Sequence, residues 1–402
     1  MDRNRISLLV SIWVSNMGEW VYFIALNLIV LNMTNSPITV SVLYVLPYIA
    51  SILTNTWAGS WVDRLNQKKL LVVLDIVRGI LVLLLASTSS LLLIYVVSLI
   101  IHMASSIFST TSFVYMTKLV PESEQQRFNA WKNFVQSSGF FVGPSIAGML
   151  FIIGTPNMAI LFNGVMLFLS ASVLTSLKNL DSKQKVVHEP FSFKMIIEDW
   201  VYIFRFSKQN RFVAFLYLLS SSVIVCMAAL DSIEAAFSTT ILGFSEAEYG
   251  LLVSIAGLGV ILGSLANARW GNRYNPLSLV KYGAFFTAIG YVIYALSSSF
   301  IMAALGFFLL TFAYTFANVG FLTFIQHRIP TEILGRFTSI FKIFESVVGI
   351  LAIAIVGIIT EVVGLRHIVL TVSIIFFVLG VINFIKISST ITQEKIAVQE
   401  NL

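Results

Sequence analysis

Cysteine is almost missing from this chain. Cys226 stands alone among 402 residues, so no disulfide can form within it. Histidine is nearly as scarce. His102, His188, His327 and His367 are scattered without ligand-like spacing, and no metal site is expected. No Walker-type phosphate loop occurs, so the chain carries no sign of an ATP-driven pump. Charge is scarce too. Asp, Glu, Lys and Arg make up 11% of the chain, while 57% is hydrophobic and mean hydropathy is +0.90. No soluble core is large enough for that apolar surface. The net charge of +6 is spread over short loops, so a nucleic-acid-binding patch is excluded as well.

What is present is apolar length. Runs long enough to cross a bilayer, about 20 residues each, recur from end to end. About twelve are predicted: 6–31, 38–61, 70–88, 90–117, 129–153 and 158–178, then 212–241, 247–268, 277–297, 300–326, 337–360 and 366–387. The first follows Arg3 and Arg5 but continues to Met33, too long for a signal peptide's apolar core. It is read as a retained helix. Arg64, Lys68, Lys69, Lys118, Arg127, Lys132, Lys178, Lys183, Lys185, Arg269, Arg273, Arg328, Arg336, Lys386 and Lys395 share one side with the N-terminus. The opposite loops, NMTNSP, STSS, GTPN and SSSF, carry no basic residue, and only Arg366 departs from the pattern. Both termini are therefore expected in the cytoplasm.

The two halves repeat. VPESEQQRF (120–128) and IPTEILGRF (329–337) share Pro, Arg and Phe at identical spacing. Each opens the fifth span of its half, the arrangement of a parallel repeat. The expected parts are a six-helix half (1–179), a connection (180–211), a second six-helix half (212–388) and a tail (389–402). Within the connection, Phe193, Ile197, Trp200 and Phe204 fall on one helical face. That pattern predicts an interfacial helix, with a partner-binding helix as the alternative.

A few polar residues lie where lipid would reject them. Asn16, Glu19, Phe23 and Asn27 share one face of the first span. A charge at mid-membrane costs roughly 2.5–3.5 kcal/mol on insertion scales. Glu19 must face protein or water, either as a reversible proton carrier or as half of an interhelical bond. Asp231 and Glu234 stand one turn apart on the seventh span, the counterpart of the first. They read as a second proton or cation site, or as a solvated vestibule wall. Lys342 and Glu345 are spaced for a local ion pair, and His102 for either a proton relay or a satisfied buried side chain. Trp13, Trp20, Tyr22, Tyr48, Phe113 and Phe140 could line an apolar pocket. Gly139, Gly143, Pro144 and Gly148 form a small-residue face suited to close helix packing and a bend.

The loop GSWVDRLNQKK (59–69) resembles the signature loop of the major facilitator superfamily, with Gly59, Asp63, Arg64, Lys68 and Lys69 in place. Asn66 replaces a glycine, and asparagine also tolerates the left-handed backbone a glycine would allow; Gln67 replaces a basic residue. The second copy, GSLANARWGNRYN, keeps Gly263, Arg269 and Arg273 but has Asn267 in place of the acid. Gly139, Gly143, Pro144 and Gly148 resemble the superfamily's antiporter motif. With GEWVYFIAL, LLVVLDIVRGILVLL and the two fifth-span openings, the chain is similar to the macrolide-efflux and siderophore-exporter branch. The resemblance implies twelve transmembrane helices in two six-helix bundles, an all-α membrane fold. It implies a non-enzymatic multi-pass transporter of a prokaryotic cell membrane, working as a monomer without a cofactor. Such a protein exports a small organic molecule (drug, antibiotic or siderophore) against protons by alternating access. Asp63 and Arg64 with Asp75 and Arg78 would form its cytoplasmic gate. A proton-coupled metabolite importer and a non-transporting sensor on the same scaffold remain the alternatives.

Overall fold

The computed structural model describes residues 2–34, 37–180 and 193–400. Lys183 and Lys185 lie outside the described residues, as do the side chains of Phe140, Pro144, Gly148 and Lys395. The described residues form α-helices and no strand: α1 (Arg3–Thr34), α2 (Pro37–Asn55), α3 (Ala58–Arg64), α4 (Gln67–Ala86), α5 (Leu91–Leu119), α6 (Glu122–Ile153), α7 (Pro156–Thr175), α8 (Phe193–Gln209), α9 (Arg211–Ala236), α10 (Glu246–Trp270), α11 (Pro276–Ala295), α12 (Phe300–Arg328), α13 (Leu334–Val363) and α14 (Leu365–Glu400). All but the short α3 and the linker helix α8 correspond to the expected spans. Helix is forced here because lipid offers the backbone no hydrogen-bond partner.

Helix ends follow local chemistry. Asn275 caps α11 by accepting from Leu277 N, with Pro276 at its first position. Ser245 and Glu248 form a reciprocal capping box on α10. Gly364, at φ +92°, separates α13 from α14. Two expectations change. The second span ends at Asn55, and residues 58–64 form the separate helix α3. Residues 389–400, expected as a tail, continue α14. Asn66 is not left-handed. Its φ is −70°, and its side chain accepts from Lys69 N to cap α4. A glycine would serve the turn, but asparagine also satisfies an orphan amide of the helix start.

Polarity runs from outside in. Val362, Leu92 and Ile301 project outward, whereas Ser98, Thr287 and Asn383 are fully buried. That is the distribution of a bundle solvated by lipid. The residues cluster into two compact units. One comprises Met1–Pro121, Val135–Gln209 and Ile329–Val347; the other comprises Glu122–Phe134, Asn210–Arg328 and Val348–Leu402. The opening turns of α6 thus cluster with second-half residues, and those of α13 with first-half residues. These are the two copies of the sequence repeat. Phe128 and Phe337, its matched aromatics, are both buried.

Small residues bring helices together. A Cβ on Gly139 or Gly143 would collide with Asn16 or Trp20 of α1, so the antiporter-like glycines seat α6 against α1. In the second unit Gly290 of α11 lies against the Leu310 backbone of α12, where a Cβ would come within 2.6 Å of Leu310 N. Gly250 has open space around it. Gly290→Val is therefore expected to cost about 1–3 kcal/mol through overpacking, while Gly250→Val costs much less. Thermal unfolding of the two variants in detergent checks the difference; equal melting temperatures would remove the packing argument.

Candidate functional site

Glu19 has a partner, and it is Arg78. The Arg78 Nη1 donates to Glu19 Oε1 at 2.5 Å, and Nη2 donates to Asp75 one turn earlier on α4. Ser105 Oγ of α5 and Ser15 Oγ of α1 lie 3.1 and 3.3 Å from the same guanidinium. Phe108 places its ring face 4.4 Å from Arg78 Cζ. Asp75 accepts a further bond from Ser170 Oγ of α7 at 2.5 Å. Helices α1, α4 and α5 of one unit thus meet on one buried cation, and α7 joins them through Asp75. Two carboxylates share that cation, so the ion cluster carries one negative charge in excess when both are ionised.

The two acids differ in access. Asp75 is completely buried, whereas the Glu19 side chain is 41% exposed. It opens into a cavity of about 270 Å³ lined by residues that include Asn16, Trp20, Phe23, His102, Ser105 and Asn163. Oδ1 of Asn16 and Oδ1 of Asn163 are buried there without a protein partner. Asn27, expected on the same face, turns instead to α2 and donates to Tyr44 Oη at 3.3 Å. Of the six aromatics noted in the sequence, Trp20 and Tyr22 line the cavity, Phe113 is buried and Trp13 faces outward.

The expected gate residues do not form one cluster. Asp75 and Arg78 belong to the Glu19 site. Asp63 and Arg64 meet Arg336 and an unforeseen acid, Asp199 of α8. Asp63 accepts from Gly335 N at 2.9 Å and from Arg336 N and Nε at 3.0 and 3.1 Å. A carboxylate thus sits on the first turn of α13, where the helix dipole favours it. Close approach of Gly59 and Gly335 makes this possible, since a Cβ on Gly59 would meet Arg336 Cα at 2.7 Å. Asp199 takes Arg64 bidentately, at 2.7 and 2.9 Å, and accepts from Arg336 Nη1 at 2.8 Å. Its sequence signal was an acid sharing a helix face with Ile203 and Phe206. Lys68 and Lys69 open α4, and Lys69 N completes the Asn66 cap. Gln67 is fully buried, bonded to Val62 O and to Lys118 Nζ. A buried position between helix ends explains why it is uncharged. In the repeat copy Asn267 is also buried, donating to Thr315 O, and Arg127 is exposed.

The second unit holds its own acids. Asp231 accepts from Tyr291 Oη at 3.0 Å, and Glu234 accepts from Tyr249 Oη at 3.1 Å. Tyr294 Oη lies 3.3 Å from Glu234 O and 2.9 Å from Ser238 Oγ. Helix α9 then widens into a π-turn at Phe237–Ile241, a distortion frequent at functional sites. Among the described residues no group of His, Cys, Asp and Glu is arranged to hold a metal ion. The three tyrosines could not be paired with these acids from sequence, since α10 and α11 supply them.

Two outcomes follow. Arg78→Met leaves Glu19 and Asp75 as uncompensated neighbours and should cost about 3–5 kcal/mol. Adding Asp75→Asn should restore part of that loss, and equal melting temperatures for the single and double variants would show that the ion cluster is not its source. At the other cluster, burial pushes the Asp63 carboxyl up to about 6, against the pull of Arg336 and the Gly335 amide. Burial would also raise Asp199, but hydrogen bonds from Arg64, Ser60 and Arg336 outweigh it and hold its carboxyl below the ordinary value. An acid with a raised pKa takes its proton as pH falls through that raised value. Between about pH 7.5 and about pH 5, infrared difference spectra should therefore show a protonated-carboxyl band that Asp63→Asn removes and Asp199→Asn keeps.

Comparison with known proteins gives a consistent picture. The family model described as Major Facilitator Superfamily matches residues 8–353 and 212–398. "Uncharacterized MFS-type transporter YfiS" of Bacillus subtilis (strain 168) is 21% identical over 96% of this chain and 93% of its own length. "Putative bacilysin exporter BacE" of Bacillus amyloliquefaciens is 24% identical over 81% of each chain. Among solved structures, a bacterial homologue of the iron transporter ferroportin in an outward-facing state superposes with a TM-score of 0.77 at 17% identity, covering 97% of this chain and all of the other. The human organic anion transporter MFSD10 (TETRAN) superposes with a TM-score of 0.78 at 11% identity, over 95% and 99% of the two chains.

Proposed function

The chain belongs to the major facilitator superfamily, and from that premise we propose that it is a secondary active exporter of a small organic molecule, driven by proton antiport. The observation that carries this reading is the Glu19–Arg78–Asp75 cluster beside its cavity. One guanidinium between two carboxylates leaves room for one proton. Glu19 is the acid with access to the cavity, so it takes that proton. Protonation releases Arg78 from Glu19 and leaves it to Asp75 alone. The change in charge and in hydrogen bonding at the meeting point of α1, α4 and α5 is the event coupled to alternating access. Asp231 and Glu234, each held by a tyrosine, form the second ionisable site of the cycle.

The free energy comes from the proton gradient and the membrane potential, about 2.3 kcal/mol per charge per 100 mV. Proton entry from outside and substrate loading from the cytoplasm fit the basic loops and both termini lying on the cytoplasmic side of a bacterial cell membrane. The Asp63–Arg336–Asp199–Arg64 network is then the cytoplasmic gate, broken and remade in each cycle. Export rather than import is supported by the antiporter-like glycines on α6 and by a relative named for bacilysin export. The cavity's mixture of aromatic rings, amides and one acid suits an amphipathic or cationic organic molecule.

A drug-susceptibility panel on a deletion strain identifies a transported compound. Glu19→Gln is then expected to abolish its uptake into inverted vesicles energised by an imposed pH gradient, with membrane insertion and yield unchanged. Gradient-driven transport that persists at the wild-type rate in Glu19→Gln would overturn the assignment of Glu19.

A further inference from the structure

Helix α8 has two faces with different business. At about 100° per residue, Asp199, Ile203 and Phe206 share one side. There Asp199 and Ile203 are buried, Asp199 holds Arg64 and Arg336, and Phe206 packs edge-on to Phe337. On the other side Ile197, Val201 and Phe204 form a stripe, and each is about half exposed, at 50%, 51% and 46%. Lys194 and Lys208 stand at the two ends of that stripe and Arg205 along its edge. Glu198 is the acid on this side, with Lys194 Nζ 3.8 Å from its Oε1.

An apolar groove of about 380 Å³ runs beside the stripe, lined by Thr56, Ile196, Ile197, Trp200, Val201 and Phe204. Trp200 anchors it by donating Nε1–H to Thr56 O at 3.2 Å. Thr56 directly follows the last turn of the spanning helix α2, whose Ile49 and Leu53 face outward. The stripe is therefore continuous with surface that lipid already covers. Its length of apolar side chain between terminal lysines matches a helix lying in the headgroup layer, where lysine stems lie along apolar surface and the ammonium reaches phosphate.

We propose that the outer face of α8 is a binding site for an anionic phospholipid of the leaflet on the basic side of the membrane. Acyl chains lie along the groove at Ile197, Val201 and Phe204, and separate headgroup phosphates meet Lys194 and Lys208 at its two ends, about 21 Å apart along the helix. A neutral or zwitterionic headgroup fits less well, because three basic residues border the stripe against one acid. The opposite face of the same 17-residue helix carries Asp199, so the lipid that seats α8 also steadies the Arg64–Asp199–Arg336 network.

The test uses the full chain with Cys226→Ser and Val201→Cys carrying a nitroxide label. It is reconstituted into nanodiscs of phosphatidylcholine, with or without phosphatidylglycerol, and probed for contact with oxygen and with a water-soluble nickel reagent. The label should sit at acyl-chain depth, and phosphatidylglycerol should hold it there more firmly. Lys194→Gln with Lys208→Gln should erase the effect of phosphatidylglycerol and weaken binding of that lipid about fivefold at each end of the stripe, from about 1 kcal/mol per basic residue. Asp199→Asn should leave the label's depth unchanged, which separates lipid binding from the ion network. A label open to the nickel reagent in both lipid mixtures would overturn the proposal. So would phosphatidylglycerol dependence that survives in the double glutamine variant, or shielding in lipid-free detergent that rises with protein concentration, the mark of a second copy on this face.

Discussion

A charge inside a bilayer must be answered where it lies. That constraint organises the described structure more than any single packing contact. Arg78 is fully buried, yet it meets Glu19, Asp75, Ser15, Ser105 and the face of Phe108. Removing one partner would leave another exposed to a medium that cannot solvate it. The acids of the second unit obey the same rule with neutral partners. Tyr291 and Tyr249 donate to Asp231 and Glu234, and no cation is needed for a hydrogen bond of that kind. One unit thus answers its acids with a guanidinium and the other with phenols.

The same rule shapes the end of the molecule that carries the basic loops. Asp63 is held by backbone amides and Arg336, and Asp199 by two arginines. Glycine makes the first arrangement possible, because Gly59 and Gly335 let α3 and α13 approach closely. The repeat copy lacks the acid. With Asn267 in its place, the matching Arg127 is exposed where Arg336 is clamped. Besides this acid-to-amide change, Ala268 stands where the first copy has Arg64, so the second copy lacks both side chains of the charged pair.

Apolar run length located nearly every helix, since lipid leaves the backbone no other way to satisfy itself. The exceptions were local. The polar pair Asn55 and Thr56 stands where α2 ends early, and Asn66 takes a capping role that glycine could not. The candidate site was legible as a set of improbable residues: Glu19, Asp75, Arg78, Asp231 and Glu234 are all costly in a membrane. Which of them meet was not legible. Asp75 and Arg78 stand near Asp63 and Arg64 in sequence, and grouping them with the gate was natural. Asp63 and Arg64 end the separate helix α3, whereas Asp75 and Arg78 lie about 12 and 16 Å along α4 from its start, so sequence nearness counted for little.

Sequence alone determined that this is a polytopic helical protein built from a repeat, that it belongs with a superfamily of transporters, and that a handful of ionisable residues require an explanation. The helical spans and the costly ionisable residues depend on local composition and period, which a chain carries in itself; the superfamily followed from the resemblance of the 59–69 loop and the α6 glycines to its motifs. Tertiary structure decided the partners. Glu19 with Arg78, Asp63 with the first turn of α13, Asp199 between Arg64 and Arg336, and each second-unit acid with its tyrosine all join residues distant in the chain. Such pairings depend on which helices pack together, and apolar faces solvated by lipid look alike in sequence whichever neighbour they meet.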